Sequence, residues 1–178
     1  MQAAWNAPGL PLKLEPLMPH FETTHRVHHS AENMFALVAD VESYPKFLPL
    51  CSALHIEKRI AEEDGETLIA RMTASYKLFS ESFTTRVRLR PENRVILVDY
   101  LDGPFRKLEN RWTFVHGPDG TCRILFYLDY EFRSLPLQML MGSVFDKAFR
   151  KFSAAFEDRA DQIYRTPAQA ERPASATG

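Results

Sequence analysis

The chain has 178 residues, 45% of them hydrophobic and 25% charged, which is ordinary for one globular domain with a sizeable core. Lys plus Arg number 22 against 23 Asp plus Glu, a net charge of −1, so any attraction to nucleic acid or anionic lipid has to come from a local patch. No run approaches the roughly 20 uncharged apolar residues that span a bilayer, and a secretory leader is not expected from an N-terminus without a basic n-region followed by an apolar h-region.

Cys51 and Cys122 lie far apart and form no CxxC or Cys/His cluster, so they read as buried thiols rather than zinc ligands or a disulfide framework. These features fit a cytoplasmic protein with at most peripheral membrane contact.

Residues 1–19 carry Pro8, Pro11, Pro16 and Pro19 without sustained periodicity, so a disordered leader is expected there. Met18, just before the first strand-like segment, competes with Met1 as the native start. A domain is expected over 20–165, followed by a second disordered tail over 166–178, which reads TPAQAERPASATG from Thr166.

Phe21 to His28 alternates as a strand, with Phe21, Thr23, His25 and Val27 on one face. Ser30 reads as a helix N-cap, and Met34, Leu37, Val38 and Val41 form one apolar stripe behind it, with Glu32 at the positive end. A second short helical turn is expected over Tyr44-Pro45-Lys46-Phe47-Leu48-Pro49.

Strands follow over Ala53–Glu62 and Thr67–Tyr76 around the Glu63-Asp64-Gly65 turn. In the next strand Phe79, Glu81, Phe83, Thr85, Val87 and Leu89 share one face, and Arg86, Arg88 and Arg90 share the other. Turns at Pro91-Glu92-Asn93, Asp102-Gly103-Pro104 and Gly117-Pro118-Asp119-Gly120 then separate three more strands, Arg94–Leu101, Phe105–His116 and Thr121–Phe132, in an antiparallel meander.

After Pro136 the period changes. Leu137, Leu140, Met141, Val144, Phe145, Ala148, Phe149, Phe152, Ala155, Phe156, Ala160 and Ile163 recur at three and four residues. A helix of about 27 residues is roughly 40 Å long and crosses a whole domain. The expected fold is therefore α+β, a sheet of about six to seven strands covered by one long C-terminal helix, with two short helices after strand 1.

A strongly curved sheet need not touch that helix everywhere. The bulky residues expected between them are Phe83, Phe105, Trp112, Phe114, Phe126, Met141, Phe145, Phe149 and Phe152. Pattern alone leaves two readings open: they fill a solid core, or they line an apolar ligand cavity. Tyr44, Pro45, Lys46, Phe47, Leu48 and Leu137 are the candidates for its mouth, with Lys46 facing a headgroup or a ligand oxygen.

Leu135-Pro136-Leu137-Gln138-Met139-Leu140-Met141-Gly142 is more apolar than one buried helix face requires. It reads either as buried packing or as a lip of Leu135, Leu137 and Met139 touching a bilayer. The row Arg86, Arg88, Arg90 is either a solvated strand face or an anion patch for RNA phosphates or lipid headgroups. His25 and His28 point to opposite faces and make poor joint ligands, so neither a metal nor a catalytic residue is assigned.

Two segments carry a family resemblance. Leu37 to Cys51 (LVADVESYPKFLPLC) and Asp102 to Phe114 (DGPFRKLENRWTF) resemble the coenzyme Q-binding START-like family, within the polyketide cyclase/dehydrase and lipid transport superfamily. Phe145 to Tyr164 is similar to its closing helix, and the likeness runs from Pro19 to Tyr164. It implies a helix-grip (START/Bet v 1-like) fold that binds ubiquinone or a similar prenyl lipid, supporting respiratory electron transport or quinone biosynthesis without a reaction or cofactor of its own.

Bacterial members are also named ribosome association toxins, which implies a rival reading: one half of a toxin-antitoxin pair, binding a ribosomal subunit and hindering subunit joining. Some superfamily relatives are polyketide cyclases or dehydratases, a third reading for which the chain shows no residue set. The leader lacks an Arg-rich amphipathic presequence, which favours a bacterial cytoplasmic member with at most peripheral contact with the inner membrane, and DNA is not an expected partner.

Overall fold

The computed structural model describes residues 20–164, apart from the side chains of 141–146 and 149. The expected leader over 1–19, the choice of Met1 or Met18 as start, and the tail over 166–178 all lie outside the described residues. So do the cavity assignments of Met141, Phe145 and Phe149.

The element order is β1 (His20–Val27), α1 (Ala31–Ala39), a 3₁₀ helix (Val41–Lys46), β2 (Cys51–Glu62), β3 (Gly65–Tyr76), β4 (Phe79–Arg90), β5 (Val95–Asp102), β6 (Phe105–His116), β7 (Cys122–Phe132) and α2 (Leu135–Ile163). Ser30 caps α1, its hydroxyl accepting from the Asn33 amide at 3.1 Å. The turn expected over Tyr44–Pro49 starts earlier, at Val41. Asp40 leaves helical geometry (φ −80°, ψ 65°) and its carbonyl accepts from Ser43 at 3.1 Å, so a tighter helix restarts at once and ends with Pro45 in its last turn.

The seven strands form one antiparallel sheet in the order β1-β7-β6-β5-β4-β3-β2. Consecutive hairpins place β2 to β7 side by side. β1 closes the far edge by pairing with β7, from His20 opposite Asp129 to Val27 opposite Cys122. Register shifts at Cys51/Ala53 and Ile56/Lys58 in β2, at Thr84/Thr85 in β4 and at Phe105/Lys107 in β6 break the pleat. Each such bulge bends its strand and adds twist, which curls the sheet toward α2.

The main core lies at one end of the molecule, and Met34, Val38, Ile96 and Phe156 of it also wall the cavity described below. Met34, Val38, Leu68, Ile96, Phe114 and Cys122 are all within 3% of complete burial, and Phe156 and Ala160 of α2 pack against them. At its N-terminus α2 is tied to the sheet again, Leu137 packing on Phe105, Tyr130 and Phe132 and Gln138 Oε1 accepting from the Phe132 amide at 3.0 Å. Between these contacts and the main core, Leu140, Ala148 and Phe152 border open space.

Candidate functional site

Between α2 and the concave face of the sheet lie two adjoining chambers, of about 270 and 220 Å³. The first is bounded by β1, α1, the 3₁₀ helix and the middle of β3 to β7. The second runs toward the N-terminal end of α2. Met72, Phe83, Leu108, Leu128 and Phe152 line both, so they form a shared waist. Together the chambers reach the usual size of small-molecule sites, roughly 300–1,000 Å³.

The walls are apolar because the sheet alternates. Phe83, Thr85 and Val87 of β4, Leu108, Asn110 and Trp112 of β6, and Ile124, Phe126 and Leu128 of β7 all line the first chamber, while the residues between them point to the opposite face, where Thr84 is itself buried. Trp112 packs edge-on against Phe126 at 4.6 Å and Phe156 at 5.6 Å, and Phe83 against Phe105 at 5.3 Å.

Few polar groups reach this surface. Asn110 Nδ2 donates to the Tyr127 carbonyl at 2.8 Å, and Asn110 Oδ1 accepts from Trp112 Nε1 at 2.7 Å. A primary amide has two N–H groups and two acceptor lone pairs, so Asn110 keeps one of each for a guest. At the β1 side, His25 Nε2 lies 3.2 Å from Glu157 Oε2, with Thr23 and Ser153 on the same wall. The Tyr44 hydroxyl donates to the Val38 carbonyl at 2.6 Å, and its burial pushes the phenol far up in pKa, so it stays a neutral donor. Among the described residues no group of three or more His, Cys, Asp or Glu is placed to hold a metal ion.

The structure separates the expected site residues. Trp112 and Phe126 lie on the first chamber, Phe105 on the second, and Phe83 and Phe152 at the waist. Phe114 is a correction: it lines neither chamber. It is 1% exposed, edge-on to Phe35 at 6.0 Å, because inward at that end of β6 means against α1.

The expected mouth also divides. Tyr44 and Leu48 face the first chamber and Leu137 the second. Pro45, Lys46 and Phe47 line neither. Lys46 is exposed, and Phe47 packs on Phe156 at 5.4 Å with the Arg159 guanidinium 5.8 Å from its ring.

Pattern reasoning missed Asn110, Ser153, Glu157 and the waist residues Met72, Leu108 and Leu128. For Asn110 a signal exists: it interrupts the apolar alternation Leu108, Trp112, Phe114 with an amide. The others are ordinary members of their stripes.

On the convex face the arginine row is largely offset. Arg88 pairs with Asp99 at 2.7 Å, and Arg90 lies between Glu62 at 2.5 Å and Asp64 at 2.9 Å. Arg86 is exposed and has no acidic partner among the described residues. The row is thus a mixed-charge surface with a single outlying cation.

Comparison with known proteins agrees with this architecture. The chain is 39% identical over 153 residues to the ribosome association toxin RatA of Escherichia coli (strain K12), covering 86% of this chain and 94% of that one. It is 30% identical over 138 residues to the mitochondrial coenzyme Q-binding protein COQ10 homolog B of Xenopus laevis, covering 76% of this chain and 55% of that one. An 18 kDa protein of Caulobacter crescentus superposes with a TM-score of 0.72 at 30% identity, covering 84% of this chain and 100% of that one. The Zhui aromatase/cyclase of Streptomyces shares the fold with a TM-score of 0.72 at 17% identity, over 83% of this chain and 96% of its own. The profile of the polyketide cyclase / dehydrase and lipid transport family spans residues 27–157. With its helix-grip sheet, long closing helix and apolar interior, the chain belongs to that START-like family.

Proposed function

We propose that the chain binds ubiquinone or a similar prenyl lipid without transforming it, in support of respiratory electron transport or quinone biosynthesis. The observation that carries this reading is the pair of apolar chambers joined at a waist. A ring fits the first chamber, where Asn110 offers an N–H to a carbonyl oxygen, and a tail passes Leu108, Leu128 and Phe152 into the second. Each methylene buried contributes about 0.8 kcal/mol, so a few isoprene units outweigh any single hydrogen bond to the ring. The likeness to a coenzyme Q-binding protein supports the ligand class.

The test is an organic-solvent extract of the protein purified from a quinone-producing host, analysed by mass spectrometry. A prenyl quinone in stoichiometric amount is expected. An extract free of prenyl lipid overturns the reading.

A second reading, association with a ribosomal subunit, is favoured by the 39% identity to a ribosome association toxin. It predicts co-sedimentation with a subunit that weakens as salt rises, and with Arg86→Glu more than with Arg88→Glu, because Arg88 is already paired with Asp99. No co-sedimentation at low salt removes it.

A further inference from the structure

We propose that the end of the molecule where the second chamber opens is a docking surface for an anionic lipid bilayer. The β3–β4 hairpin tip and the start of α2 meet there, since Phe79 and Leu137 line the same chamber. Both elements carry apolar side chains outward. Leu78 is 100% exposed, Leu135 71%, Met139 69% and Phe79 50%. Single exposed leucines are common on soluble proteins, but four large apolar residues around the opening of an apolar chamber mark an interaction surface.

Charge selects the partner. A groove next to the chamber is lined by Lys77 from the hairpin and Lys147 and Lys151 from α2, and all three are exposed. Glu81 is the acid that shares the chamber wall on this side. Along the sequence of α2, Asp146, Lys147, Arg150 and Lys151 leave the stretch up to Lys151 with an excess of positive charge, and Glu157, Asp158, Arg159 and Asp161 leave the remainder with an excess of negative charge. The positive excess therefore lies in the stretch of the helix from which Leu135 and Met139 protrude. A flat anionic surface with an apolar interior satisfies both features at once. The apolar side chains enter the acyl boundary while the lysines stay among the headgroups. In that orientation the second chamber faces the bilayer, and a prenyl tail passes between lipid and protein without crossing water.

This surface rests on the ligand reading for its purpose, but its test does not. The purified chain is floated with vesicles of equal parts phosphatidylglycerol and phosphatidylcholine, free of quinone, and with vesicles of phosphatidylcholine alone. Flotation is expected with the mixed vesicles and not with the neutral ones. Lys77→Glu and Lys147→Glu should each weaken it by about fivefold or more. Leu78→Glu and Met139→Glu, at positions exposed enough to leave folding intact by circular dichroism, should weaken it comparably.

Absence of flotation with the mixed vesicles overturns the proposal, as does flotation that none of the four variants changes. Co-sedimentation with a ribosomal subunit, lost in Lys77→Glu while vesicles are ignored, overturns it in favour of RNA. A prenyl lipid in the organic extract together with failed flotation leaves the ligand reading standing and removes the docking surface alone.

Discussion

His25 Nε2 sits 3.2 Å from Glu157 Oε2, across 132 residues of sequence, and so fastens the edge strand β1 to the long helix beside the first chamber. Both side chains are partly exposed, 47% and 37%, and such pairs contribute only about 0.2–1 kcal/mol to stability. Their position gives them another effect, since both line the chamber and their contact closes its polar end. His25→Ala and Glu157→Gln are therefore expected to lower the free energy of urea unfolding by less than about 1 kcal/mol. Release of a bound prenyl quinone to acceptor vesicles should be faster in both. Unchanged release rates would show that exchange does not use this end.

The waist gives a sharper test of how a ligand lies. Leu128 lines both chambers, so Leu128→Trp should block the passage between them while leaving the first chamber open. Overpacking of this kind costs about 1–3 kcal/mol of stability. Calorimetric affinity should rise with tail length in the wild type and stop rising after the first isoprene units in the variant. A parallel rise in both proteins would place the tail elsewhere.

Much of this arrangement is legible in the chain itself. Period-two alternation in β4 assigns Phe83, Thr85 and Val87 to the inner face, and the three-and-four spacing of α2 marks it as the cover. Ser30 announces α1 through its capping chemistry. The space beneath the helix is not legible, because it depends on where bulges such as Thr84/Thr85 bend the strands, and a bulge leaves little trace in composition. For the same reason Phe114 and Trp112, two residues apart on one face, end in different surroundings. The arginine row misleads because its partners come from other strands: Asp99 is 11 residues from Arg88, and Glu62 is 28 from Arg90.

The contrast between Phe114 and Phe126 makes the chamber measurable by stability alone. Phe114 is 1% exposed and closely packed, so Phe114→Ala should cost about 3–5 kcal/mol, the usual range for a buried phenylalanine. Phe126 already borders open volume, so part of its contact surface is missing in the native state and Phe126→Ala should cost clearly less. Equal losses in chemical denaturation would mean that the first chamber is filled.

Gly103 couples a turn to the waist. Its φ of +134° is a backbone geometry that L-residues rarely adopt, and a Cβ there would lie 2.6 Å from Phe83 Cβ and 2.9 Å from the Ser82 carbonyl oxygen. Neither neighbour is the free end of a flexible chain. Gly103→Ala should destabilise by about 1–3 kcal/mol, the usual cost of a residue held in a sparsely populated conformation. It should also weaken ligand binding by displacing Phe83. A variant that folds and binds as the wild type does would refute the coupling.

Burial pushes the Cys51 thiol from 9.0 up to about 11, and it does the same to Cys122, where a hydrogen bond with the Val115 backbone works in the opposite direction. The native chain therefore keeps both protons at pH values where the unfolded chain has begun to release them. A raised folded-state pKa contributes its stability in full below the unfolded value and loses it as pH climbs to the folded value. The free energy of urea unfolding should accordingly fall between pH 9 and about 11. Cys51→Ala and Cys122→Ala should each flatten that fall, whatever they cost at neutral pH. Because the thiolate is the reactive form, iodoacetamide should modify the native protein slowly below this window and rapidly once urea exposes the thiols. A slope identical in the wild type and both variants would assign the alkaline loss to other groups.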